Sequence, residues 1–195
     1  MTWRTHVAGG VASLWLLKPF LAHGTATGAF AAPASTNLGL LALVAGFGAL
    51  LPDLDARESA AKHLSFGLTF GANRLRVAPL HLPAVLLHRA FGHRGPLHSL
   101  WGFVTFAFVA GAPMAWYTSP SAVVALLLGW ASHLILDACT KSGVPLLWPG
   151  KRRLHFLPPG LRITTGSDAE GLAFAPLATA AFALLLSALP VTQSP

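Results

Sequence analysis

Long apolar runs broken by short polar stretches make up most of this 195-residue chain, and no internal repeat or heptad organises them. Crossing a bilayer takes about 20 apolar residues, because each helical residue rises about 1.5 Å against a core of about 30 Å. Ser99 to Thr118 contains no charged residue, Ser121 to Cys139 carries only His133 and Asp137, and Gly171 to Leu189 has none. Two further windows precede these. His6 to Ala22 holds Lys18 near its far end, where a long side chain can reach the interface. Leu38 to Leu51 is uncharged and stops at Pro52. The pattern predicts an all-α membrane bundle of about five spans forming a single domain over 1–195.

The connecting segments differ in kind. Gly24 to Asn37, with its small residues, Thr, Ser and Pro, reads as a loop. From Ala56 to Arg94, arginines and Lys62 recur among Leu64, Phe66, Leu68 and Phe70, and Pro79 and Pro83 interrupt an uncharged run too short to cross. That composition predicts an interfacial or re-entrant segment between spans two and three. Lys141 to Arg162, with Lys151-Arg152-Arg153 and several prolines, reads as loop. Arg4, the run Val7 to Leu17 and Ala29-Phe30-Ala31 loosely match a secretory signal, but Lys18-Pro19 breaks the run, so the segment is read as a retained span.

Composition sharpens the class. Hydrophobic residues make up 54% of the chain and charged residues only 10%, against about 25% in soluble domains. An ordinary soluble enzyme and a disordered chain are both excluded. The formal net charge is +7. If the spans alternate, every Lys and Arg except Lys18 falls on one side, and the loops opposite carry no charge. By the positive-inside rule that side is cytoplasmic, with the N-terminus there as well. The single cysteine, Cys139, excludes an internal disulfide and a Cys-based metal site.

The few ionisable groups gather on the same side. Asp53 and Asp55 follow Pro52 at the end of span two, and His93 and His98 precede span three. His133 and Asp137, four residues apart, share a helix face near the end of span four. His6 opens span one. An ionisable group in a span costs about 2.5–3.5 kcal/mol on insertion scales, so such a gathering points to function. Imidazoles and carboxylates together suit a divalent cation, zinc first, with manganese or iron as alternatives. The candidate ligands are His6, Asp53, Asp55, His93, His98, His133 and Asp137. His23, His63, His81, His88 and His155 read as ordinary surface or packing histidines, with His88 held open.

Leu51-Pro52-Asp53-Leu54-Asp55, His93-Arg94-Gly95-Pro96-Leu97-His98-Ser99, Ser132 to Thr140 and Gly143 to Pro149 resemble, in order, the motifs of the YdjM-type family over about residues 1–155. The span at 171–189 lies beyond that likeness. The resemblance implies an inner-membrane, metal-dependent hydrolase, distantly similar to zinc-dependent phospholipases C and single-strand nucleases. Two departures stand out. Leu97 replaces a usual Thr, and Ala56 stands where a His or polar residue is expected.

The reading is a metal-dependent hydrolase of the inner membrane that cleaves a phosphoester, of a phospholipid or related compound, with a metal-activated water. Arg94 offers a planar fork to a phosphate and, with Asp55, forms the expected catalytic pair. The lipid bilayer is the expected partner, and nucleic acid is not. Two other classes compete: a proton or metal-ion transporter using the His/Asp cluster, and a non-catalytic scaffold. Transport sites usually lie near the midplane, whereas these groups lie at span ends.

Overall fold

A computed structural model of the chain describes residues 1–19, 37–56, 66–70, 73–78, 80–91 and 94–187. Helix α1 spans Trp3–Ser13 and runs on as a 3-10 turn, Leu14–Leu16. Helix α2 covers Leu38–Gly48, its first turn capped by the Asn37 side chain, which accepts from the Leu40 N–H at 3.2 Å. A 3-10 turn, Pro52–Asp55, follows. Proline fixes the backbone there and removes a donor, so the helix cannot simply continue.

The interfacial segment contains an antiparallel hairpin of β1 (Phe66–Phe70) and β2 (Asn73–Val77), with Phe66 opposite Val77 and Phe70 opposite Asn73. Apolar residues at 66, 68 and 70 recur every second position, the period of a strand. Helix α3 (His81–Phe91) comes next.

The third apolar window folds as α4 (Leu100–Phe106), a π-helical turn (Ala107–Gly111) and α5 (Ala112–Tyr117). Pro113 lacks the N–H that a regular α-turn would use, which accounts for the widened turn just before it. Helix α6 (Pro120–Ala138) begins with Pro120 at its first position and Ser119 accepting from the Ala122 N–H at 3.3 Å. Helix α7 covers Asp168–Leu186. Hydropathy alone starts this span at Gly171, but a helix N-terminus favours acids, so Asp168 and Glu170 belong to its first turn.

Four of the described stretches are long and apolar enough to cross a membrane: Leu38–Asp55, Leu100–Tyr117, Pro120–Ala138 and Asp168–Leu186. Helix α1 is shorter, and it packs against α2, α6 and α7. The architecture is therefore the helical membrane bundle expected, with one small hairpin added. Its core contains Leu14, Leu41, Ala45, Ala125 and Leu184. Small residues bring α2 and α6 close. A Cβ on Gly129 would collide with the Ala45 carbonyl oxygen, and one on Gly48 with that of Leu126. The outer faces stay apolar: Phe108, Val109, Trp116 and Leu172 are all more than 70% exposed. A run of this kind would be a liability in water but suits contact with lipid.

Candidate metal centre

The close α2–α6 contact sets the floor of a buried polar cluster. His133, in the next-to-last turn of α6, is fully buried, and its Nδ1 hydrogen-bonds the Ala49 carbonyl just past α2 at 2.7 Å. The carbonyl requires a donor, so Nδ1 carries the proton and Nε2 keeps its lone pair for the cluster. Around Nε2 stand His98 Nε2 at 3.3 Å, Asp53 Oδ1 at 3.7 Å and Asp137 Oδ2 at 3.9 Å. His98 Nε2 in turn lies 3.4 Å from Asp53 Oδ1 and 3.9 Å from Asp137 Oδ2. His6 stacks on His133 with ring centroids 3.6 Å apart, its Nε2 3.4 Å from Asp137 Oδ1.

Two sets of three donors each fit within 4.8 Å: His6 with Asp53 and His133, and His98 with His133 and Asp137. A divalent ion fits this arrangement on two grounds. Neutral imidazoles and carboxylates are the ligands zinc and its neighbours prefer. In addition, His6 Nδ1 is buried with no hydrogen-bond partner and Nε2 has only the Asp137 carboxylate at 3.4 Å, an expensive state for a buried polar group.

Asp55 stands one layer back. It is buried, its Oδ2 accepts from the Gly95 N–H at 3.2 Å and faces His98 Nδ1 at 3.7 Å, and it belongs to neither donor set. A carboxylate behind a ligating histidine fixes the ring's orientation and basicity. Burial disfavours a charged His98 ring, yet the Asp53 and Asp55 carboxylates outweigh it and raise its pKa to about 9. Behind Asp55, its own carbonyl lies 2.6 Å from His88 Nδ1 on α3, which ties the interfacial segment to the cluster.

Arg94 reaches across the cluster. Its guanidinium donates to Asp137 Oδ2 at 2.7 Å and to the Gly143 carbonyl at 3.0 Å. The other Asp137 oxygen accepts from the Met1 α-amine at 2.6 Å. Arg94 takes φ of 61°, a left-handed conformation that costs a non-glycine residue about 1–2 kcal/mol. Strain of that kind collects where side-chain position matters. His93 lies outside the described residues, as do His23 and His63. Of the donors brought together, Asp53 is the most open, its side chain 22% exposed against 1% or less for His98, His133 and Asp137. Asp53 is therefore the donor nearest to solvent.

One buried acid went unread in the sequence. Glu170, at the start of α7, accepts from the Thr5 hydroxyl at 2.6 Å, from the Gly166 N–H at 2.7 Å and from the Thr2 N–H. It clasps the start of α1 and so holds His6 in place. The sequence did carry a signal: Ser167 followed three residues later by Glu170 is a helix-start pattern.

The bundle and this cluster define a polytopic membrane protein whose buried His and Asp groups could bind metal. The profile of the YdjM inner membrane protein family matches residues 1–192, and the chain belongs to that family. The inner membrane protein YdjM of Escherichia coli (strain K12) is 44% identical over 71 residues, which are 34% of this chain and 35% of that protein. The YdjM protein of Shigella flexneri gives the same figures, so the match spans about a third of these relatives. The uncharacterized protein YvsG of Bacillus subtilis (strain 168) is 29% identical over 180 residues, 92% of this chain and 91% of that one. No solved structure matches the chain.

Proposed function

We propose that the protein is a membrane-embedded, metal-dependent hydrolase acting on a phosphoester, with zinc as the preferred ion. The observation that carries this reading is the convergence of His6, Asp53, His98, His133 and Asp137 at the end of α6. A bound divalent ion supplies Lewis acidity and brings the pKa of a water towards about 7. The chain's own groups do the rest. His133 is held to one tautomer by Ala49, and Asp55 orients His98. Arg94 fixes Asp137 while retaining further N–H donors on its fork for a phosphoryl oxygen. Asp53, the most open of the donors, is where a substrate would meet the cluster. We read this end of the bundle, with the N-terminus, as cytoplasmic, because the basic loops gather there and the positive-inside rule favours that side.

The test is elemental analysis of the purified protein beside its His98→Ala and His133→Ala variants, followed by assay of the loaded protein on a panel of phosphodiesters. Stoichiometric metal that both substitutions deplete supports the centre. Unchanged metal in both variants refutes it. A fully loaded protein inert on the panel refutes the phosphoesterase reading and leaves the centre standing.

A further inference from the structure

A second recess lies on a different side of α6 from the metal centre. Ala131, Leu134, Ile135 and Ala138 recur at i, i+3, i+4 and i+7 and share one helix face. With Leu100 and Phe103 of α4 they wall an apolar groove of about 230 Å³. Val144 closes it from within, and Leu154 and Phe156 stand at its mouth, both exposed. Leu100 and Phe103 begin one candidate span and Ala131 to Ala138 end another, so the groove lies at one end of the two spans.

The mouth is built by a pinned loop. Val144 and Leu154 exchange backbone hydrogen bonds of 3.1 and 2.8 Å, closing a loop that carries Lys151, Arg152 and Arg153, all exposed. Arg153 donates to the Ser142 carbonyl at 3.1 Å, which ties the loop's basic residues to the segment before Val144, next to the lining residue Leu154. No acidic residue occurs between Lys141 and Arg162 to neutralise these cations.

We propose that the groove and loop bind an anionic glycerophospholipid of the surrounding leaflet, one acyl chain in the groove and the phosphate against Lys151, Arg152 and Arg153. The order of chemistries along the groove, apolar in the span region and cationic at the end, is that of such a lipid in its leaflet. Lys and Arg side chains near an anionic headgroup attract it electrostatically. A zwitterionic lipid fills the groove equally well but gains far less from the loop. The site is independent of the metal centre and of any hydrolytic activity.

Native mass spectrometry of the full chain in detergent, titrated with dioleoylphosphatidylglycerol or dioleoylphosphatidylcholine, tests the proposal. Phosphatidylglycerol should be retained about tenfold better. Neutralising the loop (Lys151→Gln, Arg152→Gln, Arg153→Gln) should abolish the preference, and Ala131→Trp, which fills the groove, should lower retention of both lipids. Ile135→Ser, at a position already 53% exposed, serves as the milder groove variant should Ala131→Trp fail to fold. Metal content should stay unchanged in every folded variant. Equal retention of the two lipids, a preference that survives loop neutralisation, or retention indifferent to the groove variants would overturn the proposal.

Discussion

Replacing His133 by Ala separates the two roles of that ring. The Ala49 carbonyl loses the Nδ1–H bond at 2.7 Å, and an unpaired buried acceptor costs about 1–3 kcal/mol of apo stability. The cluster loses the one nitrogen common to both donor sets. Removing a group that merely supports a ligand weakens metal binding about 10–100-fold, so removing the shared ligand should weaken it by at least the upper figure. With zinc at about 100 times the wild-type Kd, binding stabilises the wild-type protein by about 2.7 kcal/mol. A Kd raised about 100-fold leaves the variant only about 0.4 kcal/mol at the same zinc concentration. Unfolding of detergent-solubilised protein, followed with zinc and with chelator, reads the difference directly. If the variant gains as much from zinc as the wild type, His133 is not a ligand and the assignment of the cluster fails.

Other consequences can be checked one by one. Gly129→Val should destabilise the bundle by about 1–3 kcal/mol, since the new side chain meets the Ala45 carbonyl oxygen, and thermal unfolding would show it. At position 94, Gly should fold better than Ala by about 1 kcal/mol because only Gly takes the left-handed backbone freely, while both lose the Asp137 ion pair; equal stability would mean the strain is absent. In chelator, the raised pKa of His98 contributes stability that is complete below about pH 6.5 and is lost as pH climbs towards about 9. Flat apo stability between those values would contradict the pairing of that ring with Asp53 and Asp55. Glu170→Ala should loosen the start of α1 and lower metal affinity without touching a donor atom, read by zinc titration.

His133, Asp137, His98 and Asp53 were legible in the sequence because an ionisable group beside a long apolar run is costly and therefore conspicuous. Their convergence followed from span parity alone. The layering within the cluster was not legible. Asp53 and Asp55 look equivalent two residues apart, and only the 3-10 turn sends one to the donors and the other behind His98. Helix starts also escaped hydropathy: α1 begins at Trp3 and α7 at Asp168, where Glu170 joins the two. The hairpin at 66–77 is masked in the sequence because its apolar and basic content matches an interfacial segment, and only the alternation at 66, 68 and 70 marks a strand.

The donors come from four distant stretches: His6, Asp53, His98, and His133 with Asp137. During synthesis, His6 and Asp53 enter the membrane region well before α6 has emerged from the ribosome. Until then α1 can pack only against α2, and His6 and Asp53 lack the His133 and Asp137 groups that face them. The arrival of α6 completes the cluster and the Gly129 contact in one event. A chain arrested before α6 would therefore present quality-control proteases with polar groups whose counterparts have not yet been made.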